Sequence, residues 1–275
     1  MNNLEAYKMD GLGNDFIIFD KRKKSIFLTK DQIVKISNRN NIGCDQVIFI
    51  NKDESDNPFI EFYNSDGGET SACGNGSRCV AYLLMCENNN KKIALRTKSG
   101  ILQAELNEKN LVKINMGQPN FKWDEIPLIK KMDNKNLKIK INSKDGEEIV
   151  GGFSLSIGNP HVIFFVQDLD QFNLEEIGPK IENHSYFPEK CNVSLASVKN
   201  KKHIKIKVWE RGAGLTKACG TAACATAVSG ASLKLNERCV NIEFSEGILN
   251  IDWKKDNNIY MTGEVSQIKK IEVSI

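Results

Sequence analysis

The chain has 275 residues and no apolar run that approaches membrane-spanning length. Its longer apolar stretches, such as Val162-Ile163-Phe164-Phe165-Val166, are strand-sized. The start, Met1-Asn2-Asn3-Leu4-Glu5, lacks a basic segment followed by an apolar one, so no secretory signal is read there. An excess of one charge is missing too: 38 Lys and Arg stand against 35 Asp and Glu, a net of +3. So close a balance leaves no footprint for nucleic acid. The basic runs Lys21-Arg22-Lys23-Lys24 and Lys130-Lys131 read as solvated faces. There is no Cys-x-x-Cys, and the three histidines, His161, His184 and His203, have no paired spacing. Neither a zinc site nor a dithiol redox site is therefore supported. These absences point to a soluble, cytoplasmic protein whose eight cysteines are free thiols.

What is present is a repeated frame. One segment reads Thr70-Ser71-Ala72-Cys73-Gly74-Asn75-Gly76; another, 146 residues on, reads Thr216-Lys217-Ala218-Cys219-Gly220-Thr221-Ala222. The same frame pairs Gly68 with Gly214 and Ala81 with Ala227. Polar residues keep it as well, with Gln46 opposite Asn192, Asn64 opposite Glu210 and Asn75 opposite Thr221. Gly13-Asn14 matches Gly158-Asn159 one residue out of phase. A period this long implies two similar halves, not a solenoid.

The expected fold is α+β, with two pseudo-symmetric domains, each a curled, mainly antiparallel β-sheet around one central helix. The expected lobes are 1–119 plus 265–275, carrying Cys73, and 120–264, carrying Cys219. Alternating runs place strands at Phe16–Phe19, Phe59–Tyr63, Ile93–Arg96, Val112–Ile114, Leu137–Ile141, His203–Trp209, Val240–Phe244 and Ile248–Ile251. The main helices begin at the two cysteines, over Asn75–Glu87 and Thr221–Leu235. The second has almost no charge before Lys234, the pattern of a helix buried all round. Gly11-Leu12-Gly13-Asn14 lacks the third glycine of a nucleotide loop and runs into a strand, so it reads as a turn between strands. Cys79, Cys86, Cys224 and Cys239 read as buried packing residues.

A cysteine at a helix start sits beside unpaired backbone N–H groups and about half a positive charge. That position lowers a thiol pKa from about 8.5 into a range of roughly 3.5 to 7.5. The same N–H groups bind carboxylates. Two such helix starts opening into one cleft would hold an α-amino acid with its α-carbon between two sulfurs. One thiolate would take the α-proton while the other thiol protonates the opposite face. Glu210-Arg211 and Asn159-Pro160-His161 are further candidates for ligand contact.

Together these segments closely resemble diaminopimelate epimerase. The residues that carry the resemblance are Gly13-Asn14-Asp15-Phe16, Gly43-Cys44-Asp45-Gln46, Asn64-Ser65-Asp66-Gly67, Ala72 to Cys79, Gly158-Asn159-Pro160-His161, Asn192-Val193, Glu210 to Gly214, and Ala218 to Cys224. The resemblance implies an epimerase free of pyridoxal phosphate and metal that interconverts LL- and meso-2,6-diaminopimelate, as a cytoplasmic homodimer, on the bacterial lysine and peptidoglycan pathway. It implies Cys73 and Cys219 as the two bases, with His161 and Glu210 tuning them. Gly74, Asn75, Gly220 and Thr221 would cradle the reacting carboxylate. Asn14, Gln46, Asn64, Asn159, Asn192, Glu210 and Arg211 would contact substrate, most of them at the distal end. The chain departs from the family pattern at Gly68, Ser71, Cys44, Ala222 and Ser194-Leu195.

Two alternatives differ in what they demand. A racemase of monoamino acids such as histidine would leave the distal polar set unpaired, at about 1–3 kcal/mol per group. A non-catalytic thiol redox or binding protein would work through a reversible Cys73–Cys219 disulfide.

Overall fold

The computed structural model describes residues 3–53, 57–71, 73–108 and 110–275. Ala72, which the repeated frame pairs with Ala218, lies outside the described residues. The chain divides into two compact units, Met1–Asn115 with Thr262–Ile275, and Met116–Met261.

The first unit opens with β1 (Asn3–Gly11) and β2 (Asn14–Asp20), an antiparallel hairpin whose two-residue turn has Leu12 and Gly13 at φ 59° and 74°. Two left-handed residues give the turn twist that antiparallel strands prefer, so the expected turn is found. α1 (Lys30–Ser37) follows, started by a capping box between Thr29 and Gln32. It returns the chain to β3 (Gln46–Asn51), parallel to β2. Then come β4 (Phe59–Asn64), the short β5 (Glu69–Thr70) and α2 (Gly74–Asn88). β6 (Lys92–Thr97), β7 (Gly100–Leu106) and β8 (Leu111–Asn115) complete the run. β2 and β3 are buried on both faces over four consecutive residues each. Helices cover both sides, which is why these strands read as apolar runs without alternation. Ile17, Phe19, Val47 and Phe49 pack with Ile33 and Ile36 of α1.

The second unit starts its sheets with a separate hairpin, β9 (Ile139–Asn142) and β10 (Glu148–Gly151). β11 (Phe153–Ser156) and β12 (Pro160–Phe165) are antiparallel. α3 (Leu174–Glu182) crosses to β13 (Asn192–Asn200), which lies parallel to β12. β14 (His203–Glu210), β15 (Gly214–Thr216) and α4 (Gly220–Ser232) follow. β16 (Cys239–Phe244) and β17 (Gly247–Trp253) form the next hairpin. β18 (Ile259–Glu264) leads the chain back to the first unit, where β19 (Lys269–Ser274) pairs antiparallel with β1. Val162, Phe164, Val193 and Leu195 pack with Ile177 and Ile181 of α3. α4 is buried along its length except at Thr221 and its last two residues.

The repeated sequence frame is also a repeated register. Met9 faces Phe16 as Leu155 faces His161. Phe16 faces Gln46 as His161 faces Asn192. Phe62 faces Thr70 as Val208 faces Thr216, and Thr97 faces Gly100 as Phe244 faces Gly247. The one-residue phase slip at Gly13-Asn14 has a local cause. Phe16 and its partner Gln46 are 46 − 16 = 30 residues apart, while His161 and Asn192 are 192 − 161 = 31 apart, so the crossover through α3 is one residue longer than the crossover through α1.

Seven of the eight expected strand runs fall wholly in strands, and both expected helices form. In the run Leu137–Ile141, Leu137 and Lys138 precede β9, with Lys138 left-handed at φ 57°. The second helix ends at Ser232, short of Leu235, because Lys234 turns left-handed at φ 60°. In each unit two strand pairs are parallel, one made by the crossover helix and one across the central helix. Cys79 and Cys224 are buried as expected, but Cys86 and Cys239 are exposed. Cys86 lies past the last buried residue of α2, and Cys239 is the first residue of β16, where strand alternation sends it outward. Among the described residues no helix is long and apolar enough to cross a membrane.

α3 depends on one close approach. A Cβ on Gly178 would lie 2.4 Å from Cγ of Trp209. Overpacking a rigid ring costs about 1–3 kcal/mol, more than the roughly 1 kcal/mol an alanine adds to a helix interior. Gly178→Ala is expected to lower the urea midpoint; an unchanged or higher midpoint contradicts this packing.

Candidate active site

In the first unit, β5 ends just before Cys73, which is the N-cap of α2 with extended backbone (φ −145°). The Cys73 sulfur accepts the Gly76 N–H at 3.4 Å and lies 3.9 Å from Asn14 Oδ1. Asn14 stands at the start of β2, beside the hairpin turn. Asp45 accepts its Nδ2–H at 2.9 Å, which turns the Asn14 carbonyl toward Cys73 and Asn75. Asp45 is itself held by Arg39. Asp45 is a site residue beyond the expected set; its signal in the sequence is its place beside Gln46. Gln46 and Asn64 face each other across β3 and β4, joined by a 2.8 Å bond from Gln46 Nε2. Among the described residues, Gln46 Oε1 and Asn75 Oδ1 are buried acceptors with no hydrogen-bond partner. Two waiting acceptors suit a ligand that brings N–H donors.

In the second unit Cys219 is the N-cap of α4 (φ −136°) and only 6 % exposed. Its sulfur lies 3.4 Å from the Thr221 hydroxyl. Asn159 Nδ2 donates to Thr221 Oγ1 at 3.4 Å, and Asn159 Oδ1 lies 2.9 Å from His161 Nε2. That carbonyl oxygen can only accept, so Nε2 carries the imidazole proton. The chain of bonds then has one direction: His161 to Asn159 to Thr221, whose own proton is free for the sulfur. A donor aimed at sulfur favours the thiolate once it forms.

Burial comes first among the forces on His161, with the Arg211 charge adding to it; together they hold its pKa at about 3. His161 is therefore neutral near pH 7. For Cys219 the expected lowering is overturned. Burial, then the Glu210 carboxylate, push its thiol well above the ordinary value, against the Thr221 hydroxyl and the Ala222 N–H. The desolvation of a sulfur anion outweighs the helix start here. Asn192 commits both ends of its amide inside the protein. Nδ2 donates to Pro160 O at 2.9 Å, and Oδ1 accepts the Arg211 N–H at 3.0 Å. Arg211 also donates from its side chain to Glu189 O at 3.0 Å. The first-turn N–H groups of α2 and α4, at Gly74, Asn75, Gly220 and Thr221, have no acceptor within their helices. The structure thus gathers Asn14, Gln46, Asn64, Cys73 and Asn75 in one unit, and Asn159, His161, Asn192, Glu210, Arg211, Cys219 and Thr221 in the other.

Solved structures define the fold class. A PhzF-family phenazine biosynthesis protein from Bacillus anthracis superposes with a TM-score of 0.70 at 17% identity, over the whole of both chains. A hydroxyproline epimerase from Agrobacterium vitis gives 0.69 at 10% identity, over 99% of this chain and 92% of that one. The sequence narrows the class. The family model for diaminopimelate epimerase matches residues 6–122 and 153–268. A diaminopimelate epimerase of Pelagibacter ubique (strain HTCC1062) is 52% identical across 99% of this chain and 100% of its own. Another, of Caulobacter sp. (strain K31), is 41% identical across 94% of this chain and 93% of its own. The chain belongs to the diaminopimelate epimerase family.

Two outcomes follow from the buried groups. Between about pH 6.5 and pH 3 the unfolded chain protonates the His161 imidazole and the folded chain does not. Its contribution to stability is complete above that window and is lost as pH falls, with a slope near 1.4 kcal/mol per unit. Urea midpoints measured from pH 7 to 4 should fall less steeply in His161→Gln than in the parent. Separately, Glu210→Gln in a Cys73→Ser background should move alkylation of Cys219, followed by mass spectrometry, to lower pH. An unmoved profile would remove Glu210 from the list of causes.

Proposed function

We propose that this chain interconverts LL- and meso-2,6-diaminopimelate by moving the α-proton between Cys73 and Cys219. One observation carries the reading: a thiol caps the start of the central helix in each unit, in the same frame and the same register. Inverting a carbon centre needs a base on one face and an acid on the other. Cys219, whose thiol is held protonated by burial and Glu210, enters as the acid. Cys73 takes the α-proton in that direction, and the roles exchange in the reverse one. The helix-start N–H groups at Gly74, Asn75, Gly220 and Thr221 stabilise the charge that develops on the reacting carboxylate. Asn14 and the free oxygens of Gln46 and Asn75 meet the reacting end or its ammonium. At the distal end, Arg211 pairs with a carboxylate and Glu210 with an ammonium, aided by Asn64 and Asn159. Asn192 shapes this end by holding the Arg211 backbone. The same reading makes the protein a cytoplasmic homodimer on the lysine and peptidoglycan pathway; its support is the resemblance to relatives, and light scattering checks the dimer.

The test is incubation of LL-diaminopimelate in deuterated water with no added cofactor. The α-position should gain deuterium as the meso form appears. Cys73→Ala and Cys219→Ala should each slow inversion at least about a hundredfold while leaving the fold intact, the lower end of what general acid–base groups supply. Near-parental turnover in either variant, or a substrate panel that favours histidine, would overturn the reading.

A further inference from the structure

Glu182 is an acid buried at 6 % exposure at the last residue of α3. Its two carboxyl oxygens are spent on the segment that carries Arg211. Oε2 accepts the Trp209 indole N–H at 2.7 Å, and Oε1 accepts the Gly212 backbone N–H at 3.0 Å. The Lys190 ammonium lies 3.8 Å from Oε1. Trp209 and Gly212 bracket Glu210 and Arg211 in the chain. The Trp209 ring is itself fixed against Gly178 of α3. Arg211 is exposed, so packing does not hold it. Its backbone is held by Asn192 on one side and, through Gly212, by Glu182 on the other.

We infer that Glu182 is a positioning residue that sets how tightly the distal end of the substrate is bound, by clamping the Trp209–Gly212 segment in the geometry Arg211 needs. This rests on the reading of Arg211 as the partner of the distal carboxylate. Glutamine at this position offers one acceptor oxygen to two N–H donors and turns an N–H toward the other, so it cannot hold both. The clamp acts on Arg211 through its neighbour Gly212. Glu210 is held separately, paired with Gly214 across β14 and β15 with its carbonyl accepting the Ala213 N–H at 3.1 Å. Binding of the remote carboxylate therefore changes, and the proton transfer between the sulfurs stays in place.

The test compares Glu182→Gln, Trp209→Phe and Arg211→Lys with the parent. α-Deuterium exchange is measured on diaminopimelate and on lysine, which lacks the distal carboxylate. Glu182→Gln is expected to raise KM for diaminopimelate about tenfold, the loss of one hydrogen bond to a charged group. kcat should stay within about twofold, and exchange on lysine should change little, so selectivity between the two falls. Trp209→Phe removes one donor and keeps the ring on Gly178, so it should shift KM in the same direction by less. It also carries the test if Glu182→Gln does not fold. An equal fall in kcat on both substrates with KM unmoved marks a merely structural residue and overturns the inference. A raised KM in Arg211→Lys with an unmoved KM in Glu182→Gln and Trp209→Phe overturns it too. An unchanged KM and selectivity in Arg211→Lys instead overturns the placing of Arg211 at the distal carboxylate.

Discussion

The structure depends on starting a helix, with a cysteine as its cap, inside the protein. A helix start exposes N–H groups that must find acceptors, and a buried one cannot use water. At α2 the Cys73 sulfur satisfies one of them, the Gly76 N–H. At α4 the Cys219 sulfur faces the Thr221 hydroxyl, and Asn159 and His161 supply the bonds behind it. Small residues make this possible. α4 reads Gly-Thr-Ala-Ala-Cys-Ala-Thr-Ala, which lets strands close around it on every side. The result is a reactive group held at the end of a rigid, buried rod, with unused N–H donors beside it. On the proposed function, that arrangement receives a carboxylate without reorganising.

The two units share one plan and differ in charge. Where the first unit has Phe16 the second has His161, and where the first has Asn64 the second has Glu210. These exchanges put a neutral imidazole and a carboxylate around Cys219 and an amide set around Cys73. On the proposed function, this duplicated frame with unlike electrostatics suits two thiols that hold opposite protonation states. The carbonyl of Asn14, aimed by Asp45, and the donor chain through Asn159, aimed by His161, run with opposite polarity toward their sulfurs.

Much of this was legible because local rules and global fold agree. The strand runs, the hairpin turn at Leu12-Gly13 and both cysteine-capped helices follow from period, turn chemistry and residue size. α1 and α3 were not read from sequence. They are short, eight and nine residues, and α3 contains Pro179. Their signals are local and brief: the Thr29 and Gln32 capping box for α1, and Leu174, Ile177 and Ile181 at helical spacing behind the Asn173 cap for α3. The parallel pairing of β2 with β3 and of β12 with β13 follows from those crossovers, so it was hidden with them. Glu182 was silent for a related reason. A lone acid in a helix looks like a solvated one until the indole and the turn it binds are brought to it.

The sequence by itself determined the duplication, the placement of a cysteine at each helix start, the family, and the strand runs, because each is written in spacing and residue type along the chain. Tertiary structure alone decided the sign of the Cys219 shift. Helix-start theory lowers a thiol, but burial beside Glu210 raises it, and burial is a property of what packs around a residue. It also decided that His161 is uncharged, that Asn192 is spent on Pro160 and Arg211, and that Cys86 and Cys239 face outward. Each of these depends on distances between residues far apart in the chain, and local composition carries no record of them.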